Sequence, residues 1–405
     1  MDEIKFLSNP RRKPAGKGAE ISFLSRREAE TARAYHKSFS QYAPTPLTEL
    51  PNLAQKLGVG RIFVKDESHR FGLNAFKVLG ASYAIGRYLA GRLGEDISKI
   101  SFERLCSPEA RERLGQITFT TATDGNHGRA VAWAAQQLGH KAVIYMPKGS
   151  DPTRLANIRA HGAEATITDL NYDDAVRLSY RMAQENGWII VQDTAWEGYE
   201  DIPTWIMQGY ATLALESLEQ LRAQGIDRPT HLFLQAGVGS YAGGVLGFLT
   251  SELGEDRPVT TIVEPNKADC IFRSAQAGDG KPHKVGGDLD TLMAGLACGE
   301  PNTISWRILR DYAHGYISCP DWVAANGMRI LAAPVRGDAP IVSGESGAVT
   351  AGILEFILAH PEGEAIRKAL DLNEEATVLL ISTEGDTSPK TYRAEVQLLF
   401  HLQPS

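Results

Sequence analysis

Cysteine is scarce: Cys106, Cys270, Cys298 and Cys319 are the only four in 405 residues, and none forms a Cys-x-x-Cys pair. That spacing argues against a zinc site or a disulfide framework and leaves a reducing compartment as the expectation. No apolar run approaches the roughly 18 residues of a membrane span. No basic stripe is present either, since 42 Lys and Arg face 49 Asp and Glu for a net charge of −7, so nucleic acid is not an expected partner. The start of the chain lacks the apolar stretch of a signal peptide, and Asp2 and Glu3 sit badly with a transit peptide, so the expected location is cytoplasmic. Internal repeats, low-complexity tracts and obvious linkers are missing as well.

What the chain does have is length and glycine. At 405 residues it suggests two domains, or one large domain with an insertion, and its 39 glycines suggest tight turns and close backbone approach to a ligand. From residue 116 the pattern alternates: short apolar runs at 117–120, 142–146, 165–168 and 188–191 read as strands, and 128–138, 153–160 and 172–185 as helices between them. Gly139, Gly162 and Gly187 each end an apolar helical run, as glycines after a helix do. A second series follows, with a long helix at 204–222, strands at 231–235, 260–264 and 376–382, and helices at 241–253, 321–332 and 346–358. Buried strands separated by helices predict an α/β fold of two open, mostly parallel twisted sheets with helices on both faces. The expected division is a small inserted α/β domain at 86–204 within a large domain made of 1–85 and 205–405, residues 1–24 being a loose arm. The glycine-rich, poorly periodic stretch 267–305 reads as loops covering a site.

Three segments carry candidate chemistry. In Phe71-Gly-Leu-Asn-Ala-Phe-Lys77-Val-Leu-Gly80, Asn74 reads as a helix N-cap, which places Lys77 in the first turn. There the helix dipole and apolar neighbours both disfavour the ammonium, and a partly neutral lysine can form a Schiff base with an aldehyde. Alone, Lys77 reads as an ordinary lysine whose stem covers apolar surface, and only the glycine loops and acidic residues at other strand ends turn the reading toward chemistry. Gln235-Ala-Gly-Val-Gly-Ser-Tyr-Ala-Gly-Gly244 follows a strand and opens a helix, a place suited to phosphate, although it is not the dinucleotide fingerprint. Thr121-Ala-Thr-Asp-Gly-Asn-His-Gly128 occupies another strand-to-helix junction, where Asp124 can move protons or cap the helix, Asn126 can donate to a phenolate oxygen, and His127 reads as structural.

Taken together these runs resemble the fold type II pyridoxal-phosphate enzymes, and within them the diaminopropionate ammonia-lyase family, over nearly the whole chain after the arm. The resemblance implies that pyridoxal 5′-phosphate lies between the large and small domains and that Lys77 forms its Schiff base. It further implies that Asn126 contacts the cofactor 3′-oxygen and that Gly237, Val238, Gly239 and Ser240 hold the phosphate, with Gly243 and Gly244 continuing the turn. A hydroxyl at the end of the last strand would face the pyridine nitrogen, Ser382 first and Thr383 second. A hydroxyl leaves that nitrogen unprotonated, which suits elimination more than transamination. Asp124 stands where the related serine and threonine dehydratases carry a small residue. With Asp193 it gives two acids for a second amino group. The implied activity is α,β-elimination of 2,3-diaminopropionate, in both D and L forms, to pyruvate and ammonia, by a homodimer without a metal. The alternatives are a serine/threonine dehydratase-type lyase and a non-catalytic protein that binds the cofactor or an amino acid. Cys270 and Cys298, both in runs shared with the family, are open to pairing, with two inert thiols as the default.

Overall fold

The computed structural model describes residues 3–123 and 125–397. Eleven strands make two sheets. They are β1 (Lys5–Ser8), β2 (Leu47–Glu49), β3 (Arg61–Asp66), β4 (Thr118–Ala122), β5 (Lys141–Met146), β6 (Glu164–Ile167), β7 (Ile189–Ile190), β8 (His231–Gln235), β9 (Val259–Pro265), β10 (Gly315–Cys319) and β11 (Thr377–Ser382). The larger sheet has the order β1-β10-β9-β8-β11-β3-β2, and the smaller one β6-β5-β4-β7. The five inner strands of the large sheet run parallel, while β1 and β2 close its two edges antiparallel. All pairings in the small sheet are parallel. Helices cover the inner strands on both faces, so these read as nearly unbroken apolar runs. β8 is buried at every position, as is β11 after its first residue.

Strand order decides where a ligand can sit. In the small sheet the chain moves outward from β4 to β5 and β6, then returns to the other side of β4 as β7. The large sheet moves outward from β8 to β9 and β10, then returns to the other side of β8 as β11. Each reversal opens a crevice beyond the carboxyl ends of the two strands that flank it. These ends deliver residues 123, 125, 126 and 191–193 from one sheet, and 236–239 and 383–386 from the other.

Some segments differ from the sequence expectation. The arm is not loose at its start: Lys5–Ser8 pair with Gly315–Ser318 as an edge strand, and Asn9 N donates to His314 O at 2.9 Å. Helices at Phe102–Cys106, Pro108–Leu114 and Thr303–Tyr312 were not foreseen. The stretch 267–305 is not all loop, since Cys270–Ala277 is helical.

An ionic cluster lies beneath the large sheet. Lys65 on β3 donates to Glu216 at 2.9 Å, and Arg70 donates to both Glu67 and Glu216 at 2.8 and 2.7 Å; all four side chains are buried. Burial pushes the Glu216 carboxyl up, but Arg70 and Lys65 outweigh it and hold the group below its ordinary value. A depressed carboxyl contributes stability above the unfolded carboxylate range and loses it as pH falls. Replacing Glu216 by alanine leaves two buried cations short of a partner and should cost about 3–5 kcal/mol in denaturant unfolding, because breaking a buried pair strands charge.

Candidate active site

The chain leaving β3 reverses twice before it becomes helical again. Phe71, Gly72 and Asn74 all adopt positive φ, at 51°, 69° and 58°. Asn74 is therefore not the N-cap expected from the sequence: its side chain donates to Asp386 at 3.1 Å, and the helix Val78–Leu93 begins with Lys77 in the cap position. Asparagine tolerates the left-handed region better than most residues, and here it makes a turn. The segment is fastened to the far end of β11. Phe76 N donates to Thr383 O at 3.1 Å, Gly385 N donates to Asn74 O at 3.0 Å, and Ala75 bridges Glu384. A Cβ at Gly385 would collide with the Asn74 amide, so the close approach requires glycine.

Lys77 projects into a cleft also lined by Thr123, Asn126, His127, Tyr172, Asp193 and the glycine loop. Its Nζ donates to Asp193 Oδ2, a partner the sequence reading of an apolar environment did not foresee. Asp193 follows β7 and is 3% exposed. Burial pushes its carboxyl up, but Lys77 and His127 beside it, with donation from Lys77 and Tyr172, hold it well below the usual range. Tyr172 Oη reaches Asp193 Oδ1 at 3.3 Å, and Gln192 Nε2 reaches it at 3.4 Å. His127 Nε2 lies 2.7 Å from Val191 O, which only accepts, so the ring carries its proton on Nε2. Burial lowers its basicity.

Asn126 is the first residue of the helix Asn126–Gln137, and its Nδ2 donates to Glu384 Oε2. Asp124 lies outside the described residues. On the opposite wall β8 runs into Gln235–Gly239, where Gly239 has φ +94° and a Cβ at Gly237 would stand 3.2 Å from Leu296 Cα. The helix Ser240–Leu253 starts there, and the N–H groups of its first turn have no partner within the helix. Ser240 Oγ donates to the Asp193 carbonyl and accepts from Asn302 at 2.7 Å, tying the loop to the other sheet.

Of the candidate residues, Lys77, Asn126, Asp193, Gly237, Val238, Gly239, Ser240 and Thr383 line one cleft. Gly243 and Gly244 do not. They lie one turn further into the helix, where a Cβ would press on Ser305 at 2.6 Å and on Met207 O at 3.0 Å, so they serve helix packing. Ser382 is not on the wall either, because its hydroxyl turns to Ser343 at 2.7 Å, whereas Thr383 Oγ1 accepts from Gln235 at 3.0 Å within the cleft. Glu384, Tyr172 and Gln235 line it and were not singled out from the sequence. The signal for Glu384 was its place in Ile381-Ser-Thr-Glu-Gly-Asp386. Among the described residues no cysteine is in a disulfide, so Cys270 and Cys298 do not pair; both are buried, and Cys298 lies on the cleft wall.

The cleft suits pyridoxal phosphate group by group. A lysine amine stands for the aldehyde, an amide for the phenolate, the N–H groups of a helix start for the phosphate and a hydroxyl for the ring nitrogen. Two buried polar atoms on the wall, Gln235 Oε1 and His127 Nδ1, lack hydrogen-bond partners among the described residues. Among the described residues no cluster of His, Cys, Asp and Glu could hold a metal ion, and no helix is long and apolar enough to cross a membrane.

A family profile described as "Pyridoxal-phosphate dependent enzyme" matches residues 39–384. The chain belongs to this family. Within it, the chain is 57% identical over 390 residues to a diaminopropionate ammonia-lyase of Salmonella typhimurium, covering 96% of each chain. The structure is similar to that of Escherichia coli diaminopropionate ammonia lyase in complex with D-serine, with a TM-score of 0.91, 51% identity and coverage of 99% and 98% of the two chains. It is also similar to that enzyme in complex with an aminoacrylate-PLP azomethine reaction intermediate, with a TM-score of 0.89, 51% identity and 97% coverage of both.

Proposed function

We propose that this pyridoxal-phosphate dependent enzyme eliminates ammonia from 2,3-diaminopropionate, releasing pyruvate and ammonia. The observation that carries the reading is the Lys77–Asp193 pair, an amine and a buried carboxylate facing one another in a cleft whose walls match each group of the cofactor. The activity named for the relatives agrees with it. When bound, pyridoxal phosphate supplies the electron sink that makes removal of a Cα proton feasible.

The remaining work falls to side chains of this protein. The N–H groups of Gly237–Ser240 and the helix start hold the phosphate. Thr383, rather than Ser382, would present its hydroxyl to the ring nitrogen, and Asn126 would donate to the 3′-oxygen. Lys77 takes the Cα proton of the L-substrate. Departure of the β-amine requires a proton as the bond breaks; Asp193, ionised beside Lys77, gives it only after first accepting the proton that Lys77 carries, and Asp124 is the alternative donor. Tyr172 and Gln192 hold Asp193 in place from its other oxygen. His127, neutral and bonded to Val191, shapes the wall.

The reading extends to organisation. Every strand of the small sheet lies within 86–204 and every strand of the large sheet outside it, which supports the small unit as an inserted domain. A cytoplasmic homodimer completes the proposal, and light scattering of the purified protein tests its stoichiometry.

The activity test is an absorbance spectrum. A visible cofactor band that shifts with diaminopropionate and is followed by pyruvate release supports the assignment. Comparable turnover of serine or threonine would instead favour a dehydratase. A finer test uses Asp124→Asn, whose carboxamide can hydrogen-bond but cannot accept a proton. With Lys77 serving the L-isomer and Asp124 the D-isomer, kcat should fall more for D-diaminopropionate. Equal losses for both isomers would make Asp124 the shared acid for the leaving group and end the two-base scheme.

A further inference from the structure

Glu384 has no part in the roles assigned so far, yet it is 2% exposed and lines the cleft. We propose that it is a positioning residue, whose carboxylate fixes the orientation of the Asn126 amide toward the 3′-oxygen of bound pyridoxal phosphate. The proposal rests on the cofactor reading above and on the place given there to Asn126.

An asparagine amide presents an oxygen and an NH2 group of almost equal size, so its orientation is set by what its neighbours can accept or donate. An ionised carboxylate accepts only. Because Glu384 Oε2 accepts from Asn126 Nδ2, the NH2 group is pinned on that side. Amide planarity then fixes the second N–H, which is left for the cofactor. Were the amide reversed, its oxygen would face both the carboxylate and the phenolate, two anions that offer no proton.

The carboxylate is itself held. Oε1 accepts from Ser346 N at 3.0 Å, in the first turn of the helix Glu345–Ala359, whose dipole favours a negative charge there. Oε2 also accepts from Thr387 Oγ1 at 3.2 Å. Thr387 Oγ1 in turn takes a bond from Arg154 Nη2 at 3.2 Å, from the helix Pro152–Arg159 of the small sheet. The main chain is no freer, since Gly344 N donates to Glu384 O at 2.9 Å and Ala75 bridges Glu384 two residues before Lys77. One residue thus sets the lysine segment through its backbone and the amide through its side chain. Glutamine at 384 would keep the volume and lose the discrimination, since it can offer either an oxygen or an NH2 group to Asn126.

The test compares the wild-type protein with Glu384→Gln, Glu384→Asp, Asn126→Ala and the double variant Glu384→Gln/Asn126→Ala. Each is stripped of cofactor, then titrated with pyridoxal phosphate while the dissociation constant and the position of the visible band are recorded. Unfolding midpoints without cofactor report on the fold alone. Glu384→Gln should weaken binding about tenfold, as loss of one charge-assisted hydrogen bond does, and move the band. Asn126→Ala should do the same, and the double variant should be no worse than either. Glu384→Asp keeps an acceptor-only group and should keep the band. Wild-type affinity and band in a folded Glu384→Gln protein would overturn the proposal, as would losses that multiply in the double variant. If the glutamine variant does not fold, a wild-type band in Glu384→Asp beside a displaced one in Asn126→Ala supports it. Equal displacement in those two overturns it. A wild-type protein that develops no visible band would instead count against the cofactor reading.

Discussion

Lys77→Ala will abolish turnover and leave a protein that borohydride no longer labels with a pyridoxyl group. Lys77 is the one lysine among the described residues that line the cleft, so among them no second amine stands in reach of the aldehyde. The glycine loop is untouched and still offers its N–H groups to phosphate, so the cofactor should bind and be washed out on dilution. The fall in kcat should reach about 10⁴-fold or more, since general-base loss alone costs about 10² to 10⁴ and the covalent attachment goes with it. A second effect concerns Asp193. Burial pushes that carboxyl up, and without the Lys77 cation less opposes it, so its share of the stability present above the unfolded carboxylate range, and lost as pH falls, should shrink. Acid unfolding followed by circular dichroism should therefore depend less steeply on pH in the variant than in the wild type. A reduced adduct mapped by mass spectrometry to any other lysine would sink the assignment of Lys77.

Asp193→Asn should lower kcat by about 10² to 10⁴ with a smaller change in KM, as expected for a group that moves a proton in the transition state. Asparagine has the same outline, so Tyr172 and Gln192 retain a neighbour, and the fold should survive. What disappears is the charge that faces Lys77 and the carboxylate that would take up the Lys77 proton and pass it to the leaving amine. Single-turnover mixing with diaminopropionate separates the two effects, because the first spectral change should stay fast while pyruvate appears slowly. A variant that keeps kcat within a few-fold of wild type would shift the acid role to Asp124.

The sequence made the strand-to-helix junctions legible because buried parallel strands are short apolar runs and their helices end in glycine. The run at 231–235 coincides with β8, and 321–332 with the helix Asp321–Ala332. Lys77, Asn126, Asp193 and the loop at 237–240 were visible for the same reason, since residues at such junctions face the crevice. What was hidden depends on partners distant in the chain. Edge strand β1 is half exposed, Lys-Phe-Leu-Ser, and becomes a strand only against β10, about 300 residues away. Asn74 looked like a cap because asparagine serves both caps and left-handed turns, and only the Asp386 contact decides between them. Gly243 and Gly244 looked like a continuation of the phosphate turn because glycine also marks places where helices touch. Glu384 had only its place after the last strand as a signal, and its carboxylate acquires meaning from Asn126, at the helix start that follows β4.

The central place of β11 has a consequence for synthesis of the protein. This strand is hydrogen-bonded between β8 and β3, so the two halves of the large sheet share no direct pairing until residues 377–382 leave the ribosome. The turn that carries Lys77 waits for the same event, because Phe76 and Asn74 find their backbone partners in Thr383 and Gly385. Translation at roughly 5–20 residues per second puts about 300 residues, and some 15–60 seconds, between emergence of the lysine and of the strand that fastens it. A nascent chain stalled before residue 377 should carry the lysine and the glycine loop yet have no seat for the cofactor, so loading must wait for β11.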